Sequence, residues 1–171
     1  MKYAVAFLAL FSVAASAQQS VFASRRAPGF SLPDQKMKQH DLQDYRGKVV
    51  VFDFMRTDCP KCQALTPVLE QLKAKYGDKI QVLSVVPANG VDNLQTVARY
   101  ATQYKATSPF LFDCGQMTAS YLQITPKNPT IHLPSVVVVD KVGMIRKDIS
   151  EETSGGLTLQ TLTTAIDPLL K

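Results

Sequence analysis

The order of apolar runs predicts an α/β domain, a central and mostly parallel sheet with helices on both faces. Three observations predict it. Residues 49–55, VVVFDFM, form a β-branched apolar run of strand length that is too continuous to leave one face in water. Ala64, Leu65, Val68, Leu69, Leu72 and Tyr76 then recur at helical spacing. A second strand-like run at 79–86 is followed by another helical pattern, so strand and helix alternate.

Residues 1–17 read as a secretory signal. Lys2 supplies a basic start, residues 4–15 are apolar, and Ala15-Ser16-Ala17 is a small-x-small cleavage site, so the mature chain is expected to begin at Gln18. The competing reading is an uncleaved membrane anchor, but Gln18-Gln19-Ser20 interrupts the apolar run and leaves it short for a span. With the signal cleaved, the chain is expected to be exported, periplasmic or secreted. No cysteine stands near the cleavage site to carry a lipid, and no other stretch is long and apolar enough to cross a bilayer. Residues 18–26 are expected to be a flexible lead-in and residues 27–171 one domain.

Within the domain, the helix after the first strand is expected from about 60 to 76, where Gly77 stops it. Pro87 closes the strand at 79–86. Asp92 or Asn93 can cap a second helix, whose apolar face would hold Leu94, Val97, Ala98, Ala101 and Tyr104. Residues 110–112 make a strand and 115–122 a short helix. The loop at 125–130 precedes His132-Leu133-Pro134-Ser135 and the strand 136–139. Asp140-Lys141-Val142-Gly143 is a tight turn into 144–146. The last helix, about 158–167, turns Leu159, Leu162 and Ile166 inward and ends at Pro168.

The chemistry is concentrated where the first strand meets the first helix. Cys59-Pro60-Lys61-Cys62 lies at that junction. A helix N-terminus has free N–H groups and a partial positive charge that favour an anion, here a thiolate. Cysteines so placed are acidified below the free value of about 8.5. Pro60 suits the first turn, where its missing N–H costs nothing. Cys62, one turn further in, is expected to be buried and placed to attack a mixed disulfide at Cys59. Asp53 sits inside the apolar run and is expected to be buried, with a raised pKa suited to a proton acceptor near neutral pH; the competing reading is a surface acid at a strand end. Three cysteines are an odd count. The third, Cys114, follows an apolar strand and is expected to be a buried small hydrophobe rather than a third redox thiol.

At these residues the chain resembles the thioredoxin-fold family, whose redox motif is a Cys-x-x-Cys between a strand and a helix. Asp53, six residues before Cys59, matches the family's buried proton-accepting carboxylate, and Pro67, eight after it, matches a helix-kinking proline. Pro134, opening a strand, matches the proline whose peptide bond is cis in that family and which faces the cysteines. Ala27-Pro28-Gly29-Phe30, and Leu42 running to Gly47-Lys48, are similar to the start of the TlpA/ResA-like group in the AhpC/TSA-redoxin branch. The resemblance implies a central mixed sheet with helices on both faces, an N-terminal hairpin and an inserted helix–strand element. It also implies a thiol–disulfide oxidoreductase with Cys59, Cys62, Asp53 and Pro134 as its site. No cofactor is implied. Partners would be protein thiols or disulfides, such as those of apocytochrome c or of copper-site cysteines, with a membrane electron donor, and the chain would act as a monomer and a reductant. The chain departs from the family at Asp58, where a tryptophan usually precedes the first cysteine; the sequence has no tryptophan at all. Asp58 should raise the pKa of Cys59, while Lys61 and the helix start should lower it.

Other functions are weighed against this one. Cys59, Cys62 and His132 could together offer a soft ligand set for Cu(I), as in Sco-type copper chaperones of the same fold. Those proteins usually space their cysteines three apart rather than two, and a packed or solvent-facing loop histidine is the simpler reading of His132. Peroxiredoxins keep a threonine three residues before their reactive cysteine; here Arg56 stands there, which argues against peroxide reduction. A redox-inert binding module would not need Asp53 and Pro134 in register with the cysteines. The net charge of +5, or +4 without Lys2, is spread out apart from Arg25-Arg26. No basic run with interleaved aromatics points to nucleic acid.

Overall fold

A computed structural model of the chain describes residues 24–150 and 156–171. The expected signal sequence and most of the lead-in lie outside the described residues. In chain order the elements are β1 (Arg25–Arg26), β2 (Ser31–Pro33), β3 (Gln39–Asp41), β4 (Val49–Phe54), α1 (Pro60–Tyr76), β5 (Ile80–Pro87), α2 (Leu94–Tyr104), β6 (Phe110–Asp113), α3 (Gln116–Tyr121), β7 (Ser135–Val139), β8 (Met144–Ser150) and α4 (Leu159–Ile166).

Six strands form one sheet in the order β1-β8-β7-β4-β5-β6, and β2 and β3 form a separate hairpin. The strands β4, β5 and β6 run parallel, as alternation with helices requires. The other half does not. β7 lies antiparallel to β4, β8 turns back along β7, and β1 runs antiparallel to β8. The sheet is therefore mixed rather than mostly parallel. The Asp140–Gly143 turn, closed by Gly143 N–H to the Asp140 carbonyl at 3.0 Å, makes β7 and β8 a hairpin, whereas the direction of β7 against β4 is set by how these distant strands meet. Arg25 and Arg26, expected to belong to a loose lead-in, pair instead with Ile145 and Met144.

Every residue of β4 is buried, because the strand has neighbours on both edges and cover on both faces. Its alternation divides the core. Val50, Phe52 and Phe54 point to a cluster closed by Phe30, Leu42, Met117 and Tyr121, from the N-terminal segment and α3. Val49 and Val51 point the other way, onto Leu65, Leu69 and Leu72 of α1 and Leu162 and Ile166 of α4. Further along that second face, Met55 joins Cys62, Val86, Val97, Tyr100 and Phe110.

Two expectations about burial fail. On α2, Leu94 and Ala98 are exposed, and Tyr100 is buried with Val97. Asn93 caps α2, so its inward stripe runs through Val97, Tyr100, Ala101 and Tyr104, one step round from the stripe that includes Leu94 and Ala98. Cys114 is exposed. It lies beyond the end of β6, at the turn into α3. There Asp113 directs its carboxylate back to the N–H groups of Met117 and Thr118, and Gly115 takes a φ of 104°. Past the last ladder pair, the strand's alternation no longer governs which way a side chain points.

Candidate active site

The site is built where β4 ends and α1 begins. Cys59 is the N-cap of α1, in extended conformation, and Pro60 occupies the first helical turn. The Cys59 sulfur accepts the N–H of Cys62 at 3.2 Å, so it takes the place of the usual capping oxygen. The two cysteines form a disulfide, with Cα atoms 5.2 Å apart. Their surroundings differ. Cys59 is half-buried, whereas Cys62 is 0% exposed among Met55, Val86 and Val97. An approaching sulfur can reach Cys59 and not Cys62.

The peptide bond between Leu133 and Pro134 is cis, and it faces this pair. The Leu133 carbonyl oxygen stands 3.9 Å from the Cys59 sulfur. Pro134 is buried at the head of β7. Ser135 donates its hydroxyl to the His132 carbonyl at 2.7 Å and so closes the loop ahead of the proline.

Asp53 is 1% exposed. Strand alternation sets it on the same face as Val51 and Met55, hence on the side of α1 and Cys62. Burial pushes its pKa up to about 7; the Ser84 hydroxyl, paired across β5, offsets part of that rise. One of its oxygens has no hydrogen-bond partner in the protein. A carboxylate in that state is a ready acceptor for a proton.

The stretch before Cys59 is held from outside. Thr57 donates both its N–H and its hydroxyl to the Asp92 carboxylate, which also accepts Asn89 Nδ2 at 2.6 Å. Gln63 Nε2 donates to the Thr57 carbonyl at 2.9 Å. Asp58 is exposed and makes a two-pronged pair with Arg56, at 2.9 and 2.6 Å. The Arg56 hydrogen bond holds its carboxyl below the usual range. The charge beside Cys59 is thus met by a guanidinium, which reduces its power to disfavour a thiolate. The sequence pattern left Asp92 as a possible helix cap; Asn93 takes that role and Asp92 serves the loop.

The predicted site residues Cys59, Cys62 and Pro134 come together here, with Asp53 beneath them. His132 does not join them as a ligand: it is exposed, and among the described residues no three His, Cys, Asp or Glu side chains converge as a metal-binding group. Sequence reasoning missed Thr66 and Tyr100, whose hydroxyls meet at the Cys62 carbonyl. The spacing of Tyr100, three after Val97, was the available signal.

Residues 23–148 match the AhpC/TSA family. The chain belongs to that family. Among AhpC/TSA relatives, the thioredoxin-like protein YneN of Bacillus subtilis is 30% identical over 122 residues, 71% of this chain and 68% of that one. The thiol-disulfide oxidoreductase ResA of Geobacillus kaustophilus is 29% identical over 124 residues, 72% and 67% of the two chains. A solved thiol:disulfide interchange protein of the thioredoxin family from Chlorobium tepidum shares the fold, with a TM-score of 0.73 at 17% identity, covering 89% of this chain and all of that one. With its fold and its Cys59–Cys62 pair, this AhpC/TSA member is a thioredoxin-like thiol–disulfide oxidoreductase. Among the described residues no helix is long and apolar enough to cross a membrane.

Proposed function

We propose that the protein works in the cell envelope, exchanging the Cys59–Cys62 disulfide with partner proteins, and that it acts as a reductant. The observation that carries this is the pairing of a reachable sulfur with an unreachable one: half-buried Cys59 on a helix start opposite a cis proline, and Cys62 sealed behind it. The signal-like residues 1–17 support export, and the relatives named thioredoxin-like and thiol-disulfide oxidoreductase support exchange with protein disulfides.

In the forward direction the Cys59 thiolate attacks a partner disulfide. A mixed disulfide forms, and one partner sulfur leaves as a thiolate. Cys62 gives its proton to Asp53 and attacks the Cys59 sulfur. The Cys59–Cys62 bond forms, the bond to the partner breaks, and the reduced partner departs. Two electrons have passed to the partner, so a two-electron donor must restore the dithiol, a role that a membrane protein could fill. Partners whose cysteines must be reduced before a haem or copper is inserted fit this direction. The Leu133 carbonyl and the buried Pro134 offer the partner backbone a place beside Cys59.

The test is direct. Cys59→Ser should abolish exchange with a protein disulfide, and Cys62→Ser should trap the mixed disulfide. Exchange that persists in Cys59→Ser overturns the reading. A reduction potential near that of the periplasmic oxidants, about −120 mV, rather than near that of thioredoxin, about −270 mV, would overturn the direction alone.

A further inference from the structure

Tyr100 reaches out of α2 into the active-site helix. Its hydroxyl lies 3.2 Å from the Cys62 carbonyl oxygen and 2.6 Å from Thr66 Oγ1, and Thr66 Oγ1 is itself 3.2 Å from the same carbonyl. Two hydroxyl protons serve these three contacts. An oxygen–oxygen separation of 2.6 Å requires a proton between the pair, so one lies between Tyr100 and Thr66 and the other reaches the carbonyl. Thr66 belongs to the same helix as Cys62 and ties it to nothing else. Tyr100 is the contact of this group that comes from another element. Its ring is fixed by Tyr104 and Phe110, at centroid distances of 4.7 and 5.9 Å. It is 3% exposed. Burial pushes its phenol up to about 12, with the charges of Asp53, Tyr104 and Asp92 adding to the rise, so it stays a hydrogen-bond donor across the working pH range.

Cys62 is therefore held at both ends of its residue: its N–H is on the Cys59 sulfur and its carbonyl is on the hydroxyl pair anchored by Tyr100. We propose that Tyr100 is a positioning residue for disulfide exchange, fixing the first turn of α1 so that the Cys62 amide steadies the Cys59 thiolate and the Cys62 sulfur stands ready to resolve the mixed disulfide. This rests on the exchange reaction proposed above. Two consequences follow from losing the hydroxyl. The amide holds the thiolate less well, so Cys59 ionises at higher pH. The resolving sulfur is less well aligned, so mixed disulfide persists longer.

The experiment uses the full chain, reduced, with oxidised glutathione as the probe. Cys59 then forms a mixed disulfide with glutathione; Cys62 loses its proton to Asp53, attacks Cys59 and expels the second glutathione as a thiolate. Rapid quenching follows the mixed disulfide, and ultraviolet absorbance follows the thiolate against pH. Tyr100→Phe keeps the ring and its packing. It should slow resolution by about three- to tenfold and move the Cys59 titration to higher pH. Thr66→Val should act in the same direction but less, because Tyr100 can then donate straight to the carbonyl. Tyr104→Phe, equally aromatic but not in contact with Cys62, should match the wild type. If Tyr100→Phe does not fold, Thr66→Val still decides: a slowing of about three- to tenfold in that variant, which keeps Tyr100 within reach of the Cys62 carbonyl, overturns the inference. So do wild-type values in a folded Tyr100→Phe, or a larger effect of Thr66→Val than of Tyr100→Phe. Failure of the wild-type protein to form a mixed disulfide would sink the exchange reaction itself, and is recognisable as such.

Discussion

Asp53 is a carboxyl whose ionisation the fold opposes. Its folded pKa of about 7 lies above the ordinary 3.8, so between those values the folded chain holds a proton that the unfolded chain has released. The stability tied to this group is full below pH 3.8 and is lost as pH climbs through about 7, by on the order of 4 kcal/mol across the window. Asp53→Asn should flatten that fall: denaturant melts at about pH 8 should show the variant more stable than the wild type, with little difference below about pH 4. Equal stability at the higher pH would mean that the carboxylate is not isolated. On the exchange mechanism proposed above, the same change removes the proton acceptor of the resolving step. Resolution should then slow by about 100-fold or more and lose its rise with pH through neutrality, which stopped-flow kinetics can read. The fold thus keeps at this position a carboxyl that weakens it above about pH 7.

Neighbouring residues at the start of α2 belong to different structures, and their variants should behave differently. Asn93 caps the helix and exchanges hydrogen bonds with Thr96, all of them exposed and local. Asn93→Ala should cost about 1 kcal/mol in thermal or denaturant melts and leave disulfide exchange unchanged. Asp92 instead carries the loop in front of Cys59 through both donors of Thr57. Asp92→Ala should cost about 1–3 kcal/mol and also slow attack by Cys59, because the N-cap residue loses the support of the loop behind it. A kinetic effect in the first variant, or none in the second, would show that the loop is held by something other than Asp92.

For the molecule as a whole, β6 is one edge of the central sheet, and the N-terminal hairpin covers part of it. Gln35 accepts the Phe110 N–H at 2.8 Å, and Asp34 bridges to Leu111. The hairpin is held in shape by a buried line of polar groups. Asp34 accepts from the backbone of Lys36 and Lys38 and pairs at 3.0 Å with His40, whose other ring nitrogen meets the Tyr45 hydroxyl. Burial pushes the Asp34 carboxyl up, but its bonds to His40, Lys38 and Lys36 outweigh this and hold it below 3.8. Its stabilisation is present above that value and is lost as pH falls through the lower folded pKa. Hydrogen exchange at Phe110 and Leu111 should therefore accelerate below about pH 4 relative to core amides of β4, and Asp34→Asn should show weakened protection already at neutral pH. Unchanged protection in that variant would mean the hairpin docks without the polar line.

Local pattern carries the alternation of elements, the start and stop of α1, the tight turn at 140–143 and the Cys-x-x-Cys at a helix start, because spacing, proline and glycine act within a few residues of themselves. The burial of Asp53 is equally legible, since an acid inside a continuous apolar run has nowhere else to go. Three things depended on the three-dimensional arrangement. The direction of β7 against β4 is a matter of how distant strands meet, which no local periodicity records. The exposure of Cys114 follows from where the β6 ladder ends, and the ladder's length is set by β5. The Tyr100–Thr66–Cys62 contact joins residues 34 and 38 positions apart, so it exists only once α2 has packed against α1. Sequence decides which segments become strand or helix and where the sulfurs sit upon them; packing decides which side chains from elsewhere hold those sulfurs, because that choice is made between segments rather than within one.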